Sequence, residues 1–120
     1  MQDRPWNRDT DYDTLVKWWK DWEFGVVPKE CLPPDGIVVE VNGVPICAGG
    51  LYIGIGTQFA FMEWIVTDKN ADSRTTHKCL KKCIDSILQL AKGKGRLPLK
   101  NKHFTRDTQN TTIWCLRRVM

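Results

Sequence analysis

No stretch of the 120-residue chain approaches the roughly 20 consecutive apolar residues that a membrane-spanning helix requires. The opening Met1-Gln2-Asp3-Arg4-Pro5 has no apolar signal region either, so neither a membrane protein nor a secreted precursor is expected. Internal repeats, low-complexity segments and linkers are all missing, and the length suits one domain rather than two, so residues 1–120 read as a single domain. Histidine is scarce: only His77 and His103 occur, and neither stands in a local motif for Cys–His or Ser–His nucleophilic catalysis. The five cysteines (Cys31, Cys47, Cys79, Cys83 and Cys115) are odd in number and form no paired C-x-x-C framework, which fits a reduced, cytoplasmic setting. Cys79 and Cys83 fall on one helix face, but zinc sites usually draw ligands from two converging segments. The pair therefore reads as buried small hydrophobes, and no metal is expected.

What is present is an ordinary globular composition, 42% hydrophobic and 27% charged, whose net charge of +4 conceals an asymmetry. Residues 1–60 hold 5 Lys/Arg against 9 Asp/Glu, a net of −4, whereas residues 61–120 hold 13 against 5, a net of +8. A basic second half suits an anionic partner such as a phosphorylated cofactor, a nucleic acid or an acidic protein face; a solvated basic surface is the plainer alternative. Nucleic-acid binding is the weakest of these readings. Lys92, Lys94, Arg96, Lys100, Lys102, Arg106, Arg117 and Arg118 carry charge but no recognition motif, so such binding would be non-specific and steeply salt-dependent.

The pattern along the chain predicts a mixed α/β fold. Residues 2–6 suit a short edge strand, because Pro5 does not fit a central one. Thr10 reads as the N-cap of a helix carrying Tyr12, Leu15, Val16, Trp19 and Trp22 at helical spacing, with Gly25 as its stop. Trp18, Trp19 and Trp22 read as core and rim packing; a base-stacking platform conflicts with the acidic charge of this half. After a loop over 28–36, Ile37-Val38-Val39-Glu40-Val41, the turn pair Asn42-Gly43 and Val44-Pro45-Ile46-Cys47-Ala48 predict a hairpin. Its return strand is interrupted at Gly49-Gly50 and resumes over 51–53. A third strand over 58–66 is apolar on both faces and so reads as central. A polar loop over 67–73 leads to a helix with Leu80, Cys83, Ile84, Ile87, Leu88 and Ala91 on one stripe, closed by Lys92 and Gly93. One more strand is expected within 96–104, and a last helix after Asp107 or Thr108 containing Ile113, Leu116 and Val119.

This order resembles the GNAT (acetyl-CoA-dependent N-acetyltransferase) superfamily over nearly the whole chain. The matching pieces are Arg4-Pro5-Trp6 leading into Asp11-Tyr12-Asp13-Thr14-Leu15, the hairpin from Val39 to Gly50, Glu63-Trp64-Ile65-Val66 with the loop and long helix behind it, and residues 110–120 as a late helix. The resemblance implies a mainly antiparallel sheet with flanking helices and an N-acyltransferase activity that moves an acetyl group from acetyl-CoA to an amine on a small molecule or protein. In such a protein the strand holding Ile65 and Val66 splays from its neighbour and pairs with the pantetheine arm. Ser73, Arg74, Thr75, Thr76 and Lys78 then cradle the pyrophosphate, with Asn110 placed beside them. The physical basis would be helix-terminal amides and the helix dipole.

Departures from the family pattern point the other way. The loop Asn70-Ala71-Asp72-Ser73-Arg74-Thr75-Thr76 holds none of the glycines that let backbone approach phosphate, and Asp72 brings negative charge there. As direct phosphate partners Arg74 and Lys78 would offset part of that repulsion. Glu63 stands where the family often keeps its general base; an exposed or salt-bridged strand carboxylate is the competing role. Residues 111–119 hold no tyrosine to protonate the leaving thiolate, which leaves Cys115 or a water. The family's sheet also normally continues beyond this point, so a C-terminally truncated sheet, or one whose open edge is completed by another chain, is expected. Short GNAT-like chains of this type are similar to bacteriophage-encoded proteins, so the alternative that the resemblance implies is a catalytically inactive structural module acting as a virion or host-interaction protein. The abundance of tryptophan, with six residues, suits such an interface.

Overall fold

Asn42 at φ 54° and Gly43 at φ 80° both occupy the left-handed region that a type I′ turn demands, and they close the hairpin the sequence predicts. The computed structural model describes residues 1–54, 60–93 and 113–115. In chain order the elements are β1 (Gln2–Pro5), α1 (Arg8–Asp21), a single 3₁₀ turn (Lys29–Cys31), β2 (Asp35–Val41), β3 (Val44–Ile53), β4 (Ala60–Thr67), α2 (Ser73–Gly93) and β5 (Ile113–Cys115). The five strands form one sheet in the order β1-β2-β3-β4-β5. All pairings are antiparallel except β4 with β5, which run parallel with Ala60, Phe61 and Met62 registered on Ile113, Trp114 and Cys115.

The central strands are apolar on both faces because each face carries its own core. Val38, Ala48 and Val66 pack with Leu15, Trp18 and Trp19 of α1 and with Trp6. Their strand neighbours Val39, Cys47 and Ile65 pack with Cys79, Cys83, Ile87 and Ala91 of α2. Cys79 and Cys83 thus behave as the small buried hydrophobes expected of them, and Cys47 joins them as a fully enclosed free thiol, whereas Cys31 is exposed.

Three local expectations are corrected. Asn7, not Thr10, caps α1, its side-chain oxygen accepting from the amides of Asp9 (2.9 Å) and Thr10 (3.3 Å). The helix ends at Asp21, before Gly25, in a Schellman arrangement: the Phe24 amide donates to the Trp19 carbonyl (2.8 Å) and the Glu23 amide to that of Lys20 (3.0 Å). That puts Glu23 at φ 57°, where glycine is normally found. Glu23→Gly is therefore expected to raise stability by about 0.5–1 kcal/mol, read as a shift of the urea midpoint. The third correction concerns Gly49-Gly50, which do not interrupt β3. They lie inside a continuous strand, and Gly50 pairs with Gly36 to leave a flat seat that the Trp6 ring fills.

The residues expected in a last helix supply β5 instead at 113–115. A stretch of Ile, Trp and Cys suits a strand, and the sheet's β4 edge accepts it. The strand expected within 96–104 lies outside the described residues.

The N-terminal strand is locked to α1 by charge. Arg4 donates to both carboxylate oxygens of Asp11 (2.9 and 2.8 Å) and to Glu40 (3.0 Å), while the Asn7 amide donates to Asp11 (2.7 Å). Burial pushes the Asp11 carboxyl up, but the Arg4 guanidinium and the Asn7 amide outweigh it and hold it below the ordinary carboxylate range. Asp11→Asn is expected to cost about 2–3 kcal/mol, because Arg4 loses its bidentate partner. A carboxyl depressed in the folded state contributes stability above its unfolded pKa and loses it as pH falls through the folded one. The gap between wild type and Asp11→Asn should accordingly be full at neutral pH and shrink below about pH 4 in acid titrations followed by circular dichroism.

Candidate functional site at the junction of β4 and α2

The middle of β4 departs from regular strand geometry. Its ladder with β3 pairs Ala48 with Val66 and Gly50 with Glu63, so that Trp64 and Ile65 together oppose Gly49. This is a β-bulge, and Trp64 pays its backbone cost at φ 60°. The Trp64 ring is held from several sides. Its indole N–H donates to the Tyr52 hydroxyl (2.8 Å), which in turn donates to the Cys31 carbonyl (2.5 Å). Trp19 and Phe24 meet it edge-on at 6.5 and 6.4 Å between ring centroids.

The bulge sits beside the residue expected to act as base. Glu63 is half-buried, and its Oε1 accepts from the Trp64 amide at 3.3 Å. Ile65 and Val66 are almost fully enclosed, one in each core, so only their backbone groups are placed to serve a ligand. The parallel register with β5 covers Ala60–Met62, and Trp64–Val66 lie beyond the end of that ladder among the described residues. Cys115 pairs with Met62, which brings two expected site residues, Glu63 and Cys115, to adjacent positions on neighbouring strands. Cys115 does so from a strand rather than from the helix expected there. Asn110 lies outside the described residues.

The loop after β4 is built by two aspartates. Asp68 accepts from the Asn70 amide at its carboxylate (2.9 Å) and from the Ala71 amide at its carbonyl (3.1 Å). Asp72 caps α2: its carboxylate accepts from the amide and the hydroxyl of Thr75, both at 2.9 Å, and its carbonyl accepts from the Thr76 amide at 2.8 Å. The amides of Thr75 and Arg74 and the Thr75 hydroxyl hold the Asp72 carboxyl below its ordinary range. The sequence places Asp72 near the phosphate position but does not show that it takes over the helix-start amides. The Asp-x-x-Thr spacing of a side-chain cap was the available signal.

Of the other expected cofactor residues, Ser73, Arg74 and Lys78 are exposed and Thr75 and Thr76 half-buried. A cavity of about 360 Å³ lies against this helix start, lined by Trp22, Thr67, Asp68, Ser73, Thr76 and His77. The Thr76 hydroxyl beside it is buried with no hydrogen-bond partner among the described residues. Trp22 closes one side, donating to the Thr67 carbonyl (2.9 Å) under the Lys69 ammonium, which stands 5.2 Å above the ring. No described helix is long and apolar enough to cross a membrane. Among the described residues no group of three His, Cys, Asp or Glu side chains is placed to hold a metal ion.

No protein-family model matches the chain. No curated protein matches it in sequence. Among solved structures it is similar to Rv2747 from Mycobacterium tuberculosis, crystallised in complex with CoA and NLQ, with a TM-score of 0.63 and 15% sequence identity. The match covers 81% of this chain and 61% of that one. The layered sheet, the bulged fourth strand and this likeness agree on one architecture: a mixed α/β fold of GNAT-like type.

Proposed function

We propose that the chain is a GNAT-like N-acyltransferase. It would take a pantetheine thioester, acetyl-CoA in the simplest case, along β4 and move its acetyl group to an amine on a small molecule or protein. The observation that carries this reading is the bulge at Trp64. It interrupts the β3–β4 ladder immediately beside Glu63, and bulges of this kind recur beside active sites. In this reading the backbone of Trp64–Val66 pairs with the amides of the arm, and Glu63 accepts the proton from the attacking amine. Cys115 or a water returns a proton to the leaving thiolate, as the C–S bond breaks and the C–N bond forms. Calorimetry with acetyl-CoA and with S-acetylpantetheine tests the reading. Saturable heat with either supports it; no heat and no thermal shift with both at about millimolar concentration overturns it.

One observation favours a second reading, a catalytically inactive GNAT-like module that binds a protein partner. The Asp72 carboxylate occupies the helix-start amides that a diphosphate would use. That reading predicts a stable protein complex or self-association together with a flat thioester titration.

A further inference from the structure

We infer that the acyl donor is a pantetheine thioester presented by an acidic carrier protein docked on the outer face of α2, and not one anchored by a nucleotide diphosphate; this rests on the acyl-transfer reading above. The first observation is the state of the α2 start. A diphosphate bound at a helix N-terminus is held by backbone amides that point at it. Here the Thr75 amide and hydroxyl are spent on the Asp72 carboxylate, and the Arg74 amide leans on the same group. The preceding turn is used up in the same way, the Asn70 and Ala71 amides going to Asp68. Asp72 is ionised at neutral pH, because its hydrogen bonds hold the carboxyl below the ordinary range. A diphosphate brought here would meet a fixed negative charge in place of amide donors.

The second observation is where positive charge stands instead. Arg74, Lys78 and Lys81, spaced four and three residues apart, form an exposed stripe that starts at this loop and runs along α2. Lys82 extends it, 3.7 Å from Asp3 of β1. Lys78, Lys81 and Lys82 line a hollow of about 590 Å³ together with Asp3 and Asp85, so three cations face two carboxylates there. From Arg74 to Lys82 the stripe spans about 12 Å of helix, longer than one diphosphate bridges and suited to the acidic helix of a partner protein. The pantetheine arm of a carrier protein needs no diphosphate anchor, since the protein itself supplies the binding surface. The transfer is unchanged in its balance. The thioester C–S bond breaks, the amide C–N bond forms, the amine proton passes to Glu63, and the carrier's thiolate takes a proton.

Three donors separate the outcomes: the acetyl form of an acidic acyl carrier protein, S-acetylpantetheine and acetyl-CoA, each titrated into the full chain at two salt concentrations. The expected result is that the carrier binds more than about tenfold tighter than S-acetylpantetheine, while acetyl-CoA stays within about tenfold of it. Added salt and Lys81→Glu should both reduce the carrier's advantage. A carrier within about tenfold of S-acetylpantetheine, or acetyl-CoA more than about tenfold tighter than it, overturns the inference and leaves acyl transfer standing. Absence of binding by both S-acetylpantetheine and acetyl-CoA overturns acyl transfer and the inference with it, whether or not the carrier binds.

Discussion

Gly36→Ala is expected to cost about 3 kcal/mol or more, enough to remove much of the stability of a domain this size. A Cβ at this position would lie 2.3 and 2.4 Å from carbons of the Trp6 ring and 2.7 Å from the Gly49 carbonyl oxygen. The ring cannot swing clear. Its indole N–H donates to the Pro33 carbonyl (3.2 Å), and its far edge already sits where a Gly50 Cβ would be, 2.7 Å away. The carbonyl cannot yield either, because Gly49 belongs to β3, which Gly36 itself pairs with through Gly50. Gly25→Ala is the control, since nothing lies within 4 Å of a Cβ there. Urea melts of the two variants should differ by about 3 kcal/mol. A Gly36→Ala protein within about 1 kcal/mol of wild type would mean that Trp6 does not occupy this seat.

Glu63→Gln is the second large effect, and it falls on chemistry rather than stability. The glutamine keeps the side chain's shape and an oxygen for the Trp64 amide, so the bulge survives while the carboxylate that accepts the proton is lost. Under the acyl-transfer reading kcat should drop by about 10²–10⁴, with the KM for the thioester changed by less than about threefold. Such a split separates a base from a residue that merely shapes the strand. A drop confined to KM, or equal rates for both proteins, would remove Glu63 from the mechanism.

Most of the scaffold could be read before any coordinates, because its signals are local. The Asn42-Gly43 turn, the doubly apolar β4 and the stripe from Leu80 to Ala91 each announce themselves within a few residues. What escaped the reading depends on contacts distant in sequence. Gly49 and Gly50 look like a break until Ile87 and Ile65 are seen against the first and the Trp6 ring against the second. Asn7 outcompetes Thr10 as cap because Arg4 fixes Asp11, and with it the first turn. The segment at 113–115 has both a helical spacing with its neighbours and strand-forming residues, and pairing with the β4 edge decides for the strand. The site divides in the same way. Glu63 and the α2 start were legible as places, whereas the use of the amides by Asp72 and the left-handed Trp64 are facts of backbone geometry that residue types do not encode.

The central claim is that the bulged strand and the start of α2 serve transfer from a pantetheine thioester. Its most direct test is the release of free thiol from S-acetylpantetheine in the presence of a panel of amines. The account predicts release that requires both protein and amine and is nearly lost in Glu63→Gln. Release no faster than the protein-free rate with every amine, at about millimolar thioester, would contradict it.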